Sequence, residues 1–147
     1  MVSLSAAEKN RGANSANRVA RRTARAQFMG HEGRTYHTLL GEQALRTNFG
    51  GAEVMRGQLA HLLEALELPG LRLGIIPSRA ELALFPGHAF SIFDDRQVKI
   101  ETYSAGLNIT DEAEVTAYRK AFAWLARSAV YGEAARRLIE EELRAVS

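Results

Sequence analysis

The stretch from Ala52 to Pro77 constrains the fold more than any other part of the chain. Met55, Leu59, Leu62 and Leu66 recur at spacings of four, three and four, which lays one apolar stripe along a helix. Pro69-Gly70 ends that helix, since proline cannot continue it and glycine accepts the reversed backbone of a turn. Leu71, Leu73 and Ile75 then alternate as one face of a strand, until Pro77 closes the run. A helix, a tight turn and a strand form an α/β unit, around which the rest of the chain must pack.

Upstream, Tyr36-His37-Thr38-Leu39-Leu40 has the aromatic and β-branched content of a strand, and Gly50-Gly51 punctuates the chain before the helix. Downstream, Ser78 to Gly87 reads as a loop containing Pro86-Gly87, and Ala89 to Phe93 as a short strand. Val98, Ile100 and Thr102 alternate with Lys99, Glu101 and Tyr103, as a half-buried strand demands. The polar turn Asp94-Asp95-Arg96 between these two runs predicts an antiparallel hairpin, and Leu107 to Thr110 predicts a further strand.

Two more helices are predicted in the carboxyl-terminal third. Asp111 and Glu114 stand three apart as in a capping box, ahead of Val115, Tyr118, Phe122, Leu125 and Ala129 at helical spacing. After Gly132, a stripe of Ala135, Leu138, Ile139, Leu143 and Val146 is interrupted by Glu142. The expected fold is α+β: a small mixed or antiparallel sheet of about four strands flanked by three amphipathic helices. At 147 residues and 46% hydrophobic content the chain can form one core. The expected organisation is a flexible basic leader over 1–20 and a single α+β domain over 21–147.

The charge of +2 is unevenly placed. Lys9, Arg11, Arg18, Arg21, Arg22 and Arg25 against Glu8 give the first 25 residues +5 and leave −3 for the remainder. Arg18, Arg21, Arg22 and Arg25 can attract a nucleic-acid backbone or an acidic partner without sequence preference, although no aromatic side chain interleaves them to stack on bases. A solvated terminus is the simpler expectation. The residues from Arg18 to Met29 are also compatible with a short basic helix. Without cysteine, thiolate metal sites and cysteine nucleophiles are excluded. No apolar run approaches the ~20 residues of a membrane span, and a cytoplasmic protein is expected.

Phosphate loops, dinucleotide fingerprints and the Gly-x-Ser-x-Gly elbow are all absent, and His31, His37, His61 and His88 are scattered, so neither a metal nor another cofactor is expected. Glu42 and Arg46 stand four apart and would pair if that stretch is helical. If Glu42 and Glu101 converged, one raised carboxyl pKa could support acid–base chemistry, but the ion pair is the plainer reading. The first 50 residues offer no pair of helices joined by a tight turn, so direct sequence-specific DNA binding is not expected.

From about Arg21 onward the chain resembles the carboxyl-terminal domain of unknown function in actinobacterial XRE-type, antitoxin-like transcriptional regulators. The resemblance rests on Arg21-Arg22-Thr23-Ala24-Arg25-Ala26-Gln27, Leu40-Gly41-Glu42-Gln43-Ala44-Leu45-Arg46, Gly51-Ala52-Glu53-Val54-Met55-Arg56-Gly57-Gln58-Leu59, Leu73-Gly74-Ile75-Ile76-Pro77 and Val98-Lys99-Ile100-Glu101-Thr102, in that order. It implies a sensory or interaction module that acts with a small protein partner, as in a toxin–antitoxin pair, or with a small-molecule effector. It implies no catalytic residues.

The functional expectation is therefore a non-enzymatic regulatory module, with homodimerisation through its helices as a further expectation. Glu42, Arg46 and Glu101 would be polar anchors of the ligand or partner site, and Phe90 and Tyr103 its apolar or aromatic walls. The alternative is a small enzyme acting on a natural-product intermediate through carboxylate or histidine acid–base chemistry.

Overall fold

A computed structural model describes residues 34–146. Nine elements follow one another: β1 (Tyr36–Gly41), α1 (Gln43–Arg46), α2 (Ala52–Ala65), β2 (Leu71–Ile76), β3 (Ser91–Phe93), β4 (Gln97–Glu101), β5 (Gly106–Ile109), α3 (Glu112–Arg127) and α4 (Gly132–Ala145). The leader over 1–20, the basic helix from Arg18 to Met29 and the arginines Arg18, Arg21, Arg22 and Arg25 lie outside the described residues.

The α+β class holds, and the strands divide into two small sheets. β1 and β2 are parallel, in register from Tyr36 opposite Leu71 to Gly41 opposite Ile76. Parallel neighbours require a crossover, which α1 and α2 supply. On the other edge of β2, Ile75 exchanges two backbone hydrogen bonds of 2.9 and 2.8 Å with Val130, so the link between α3 and α4 extends this pair by one bridge. The second sheet is antiparallel in the order β3-β4-β5, and contains the hairpin and the further strand expected from the alternation.

Side-chain alternation gives each face of the parallel pair its own core. Leu40, Leu73 and Ile75 point to one side and pack with Leu59 of α2 and Ala135 and Ile139 of α4. Leu39 and Ile76 point to the other side and meet Leu125 of α3. Helix α3 serves both sheets: Val115 packs with Phe90, Val98 and Ile100 of the antiparallel sheet, and Phe122 reaches both clusters. On β4, Val98 and Ile100 are buried while Lys99 and Glu101 are exposed, as period-two patterning requires.

Two local features fix the geometry. The Asp111 carboxylate accepts from the Glu114 backbone N–H at 3.1 Å, which caps α3 as expected. In β2, Gly74 lies beneath Tyr131, and a Cβ built there would sit 2.7 Å from the ring's Cε1. Glycine is thus required because an aromatic ring from the α3–α4 link packs directly on the strand.

Candidate functional site

The carboxyl ends of β1 and β2 lie side by side, the position at which open α/β units gather functional groups. Glu42 follows β1, and its backbone N–H continues the ladder to the Ile76 carbonyl at 2.9 Å. Among the described residues it is the one charged residue that is buried. A buried carboxylate needs partners to offset its lost hydration. Its Oε2 accepts from the Ser78 backbone N–H at 2.6 Å, just past β2, and its Oε1 accepts from Arg46 Nη2.

Helix α1 is a single turn, which brings Glu42 and Arg46 together four residues apart, and buried Leu45 anchors that turn in the core. Arg46 Nε donates in turn to Glu142 Oε1 of α4 at 2.6 Å. One chain of charged hydrogen bonds therefore joins the end of β1, α1, the loop after β2 and α4. The Ser78 N–H holds the Glu42 carboxyl below its ordinary pKa against the opposing effect of burial, and Arg46 and Arg79 act in the same direction as Ser78. The Glu142 bond holds the Arg46 guanidinium above its ordinary value. Both carboxyl oxygens of Glu42 are engaged, an arrangement that fits a fixed electrostatic junction.

An open hollow of about 310 Å³ adjoins the junction, lined by Leu45, Arg46, Asn48, Ala52, Met55, Glu142, Ala145 and Val146. Its walls are polar and apolar in about equal parts and include the Arg46–Glu142 ion pair. A second open hollow, of about 270 Å³, is bounded by Asp95, Arg96, Thr110, Glu112, Val115, Thr116 and Arg119.

A separate cluster occupies the α3 face of the parallel pair. His37 Nε2 and the Tyr131 hydroxyl are hydrogen-bonded at 2.8 Å, the His37 ring meets Phe122 edge-on, and the Arg72 guanidinium lies 4.2 Å from the centre of the Tyr131 ring. Burial, reinforced by Arg72, lowers the His37 pKa. Burial raises that of the Tyr131 hydroxyl.

The structure brings together two of the five residues expected to bind ligand or partner. Glu42 and Arg46 pair. Phe90 is buried in the core beneath β4, Glu101 faces solvent on the outer side of β4, and Tyr103 is 77% exposed in the turn between β4 and β5. No group of His, Asp or Glu among the described residues is arranged to hold a metal ion, and no helix among them is long and apolar enough to cross a membrane. Glu142 and the Ser78 N–H complete the junction, and neither is among the site residues expected from the sequence. The interruption of the α4 apolar stripe at Glu142 was the available signal.

No curated protein and no solved structure matches the chain. A family model does, the domain of unknown function DUF5753, over residues 2–141. With nearly its whole length matched, the chain belongs to the DUF5753 family.

Proposed function

We propose that the chain is a non-enzymatic regulatory module of the kind that accompanies XRE-type, antitoxin-like regulators in the cytoplasm, and that it responds to a protein partner or small effector at the carboxyl end of its parallel strand pair. The observation that carries this reading is the junction of Glu42, Arg46, Glu142 and the Ser78 N–H beside the open hollow. It ties together three segments that are remote in sequence, the 42–46 turn, the loop at Ser78 and α4. An occupant that displaced α4 from α1 would be felt at Ser78 and at β1 together.

Such a response requires the occupant to bind one arrangement of α4 more tightly than another, because equal affinity shifts no population. The apolar part of the lining provides non-directional affinity, and the Arg46–Glu142 pair provides the polar contact that differs between arrangements.

Native mass spectrometry on protein purified gently from its own cells tests this reading. The expected spectrum contains a retained small protein or metabolite, and the retained mass disappears in Ala145→Arg, which fills the hollow from an exposed helical position. A bare monomer, or a retained mass that Ala145→Arg leaves in place, would contradict it.

A further inference from the structure

A second surface combines exposed apolar side chains with two cations that have no ion pair among the described residues. Leu82, Leu84 and Phe85 lie in the loop between β2 and β3, with Phe85 86% exposed, and Trp124 on α3 is 46% exposed. Ser128 Oγ donates to the Glu81 carbonyl at 3.0 Å, which fixes the start of this loop against the end of α3. Ser128 follows Trp124 by four residues and so shares its side of the helix. The Glu81 end of the loop therefore lies on the side of α3 that carries Trp124.

The charge around Trp124 is specific in sign. Lys120 stands one turn before it, and Arg127 follows it with the guanidinium 4.6 Å from the ring centre. Arg119 has Asp95 at 3.5 Å and Arg136 has Glu67, yet among the described residues neither Lys120 nor Arg127 has a carboxylate within ion-pair reach. The loop carries one formal charge of each sign, Arg79 and Glu81, and α3 adds the cations Lys120 and Arg127 beside Trp124. Stacking on Trp124 restricts Arg127, which reduces the entropy a partner's carboxylate must overcome.

We propose that this surface docks an acidic segment of a partner protein, with apolar side chains seated against Phe85 and Trp124 and carboxylates on Lys120 and Arg127. Exposed aromatics with adjacent arginine are the composition of interface anchors, and charge complementarity supplies specificity and encounter rate. Two cations suit a protein carboxylate pair better than an anionic membrane, which takes a cluster of several basic residues to hold a surface. The proposal rests on the reading of the chain as a partner-binding module and names the partner's chemistry.

Trp124 is the single tryptophan of the chain, so its emission reports this surface alone. The probe is a synthetic amphipathic peptide with leucine and phenylalanine along one helical face and glutamate along the other; its controls are the same peptide with lysine for glutamate, and phosphatidylglycerol vesicles. The acidic peptide is expected to shift Trp124 emission to the blue and to bind about tenfold more weakly to the Lys120→Glu, Arg127→Glu double variant. It should fail to bind Phe85→Ser, a change at an exposed site that should leave circular dichroism and melting unaltered. The proposal is overturned if the lysine peptide binds equally well, if vesicles but not the acidic peptide shift the emission, or if nothing does. A partner retained in native mass spectrometry that the acidic peptide cannot displace overturns this surface while leaving the module reading intact.

Discussion

Replacing Gly74 by alanine tests the packing that holds the α3–α4 link on the parallel pair. The added Cβ would lie 2.7 and 2.9 Å from Cε1 and Cζ of Tyr131 and 2.9 Å from Cδ2 of Leu39. Ordinary carbon contacts fall at about 3.5–4.0 Å, so ring and leucine must each retreat by about 1 Å. Neither has free room, since Leu39 is fully buried and Tyr131 is held by His37 and covered by Arg72. Overpacking of this kind costs about 1–3 kcal/mol. Loss of the His37–Tyr131 bond adds about 1 kcal/mol, and the reduced freedom of the unfolded chain offsets about 0.5–1 kcal/mol. The expected net is a destabilisation of about 2 kcal/mol, or about 6–8 °C in Tm for a domain of this size. Urea unfolding followed by Trp124 emission measures it, and in a Tyr131→Ala background the penalty should shrink by about 1 kcal/mol or more. Wild-type stability in Gly74→Ala, or the same penalty in both backgrounds, would refute the reasoning.

The remaining predictions concern charge and backbone strain. Because the folded-state pKa of His37 lies below its ordinary 6.5, the unfolded chain binds more protons between those two values; stability is full above that window and falls as pH drops through it. His37→Phe should flatten this part of the stability–pH curve, and an unchanged slope would contradict the assignment. Asp94 and Asp95 have φ of 51° and 55° in the hairpin turn closed by the Arg96 N–H to the Phe93 carbonyl, a conformation that disfavours a side chain. Asp95→Gly should raise stability by about 1 kcal/mol, because the exposed Asp95–Arg119 pair that it removes contributes little; an equal or lower Tm would count against the turn assignment. Glu42→Gln should cost about 1–2 kcal/mol at neutral pH by weakening its charge-assisted bonds. The lowered pKa of Glu42 places that stabilisation above the ordinary 4.5 and removes it as pH falls through the folded value, so wild type and variant should converge in acid.

The elements were legible because each carries its own period. The stripe of Met55 and Leu59, the alternation of Val98 and Ile100, and the Asp111 cap all appear where local sequence placed them. The Glu42–Arg46 pair was legible for the same reason, being four residues apart on one turn. Its tertiary partners were not. A backbone N–H such as that of Ser78 has no sequence signature, and Glu142 announces a polar need without naming who meets it. The division into two sheets depends on which strand edges meet, which alternation does not specify. Phe90 looks the same in sequence whether it lines a cleft or fills a core. Alternation extended past Glu101 puts Tyr103 on a strand face, but the Thr102 N–H bonds to the Ala105 carbonyl and Thr102 Oγ1 accepts from the Ala105 N–H, so the chain turns and the ring goes to solvent.

Glu42 bonds directly or through Arg46 to the loop after β2 and to α4, so these segments and the end of β1 should open as one unit. Hydrogen–deuterium exchange of wild type and Glu42→Gln at neutral pH tests it most directly, because a loss of about 1 kcal/mol in local stability speeds exchange about fivefold. The account predicts that protection falls together in segments 41–48, 76–82 and 132–146. A change confined to the segment holding Ser78, or no change at all, would contradict it.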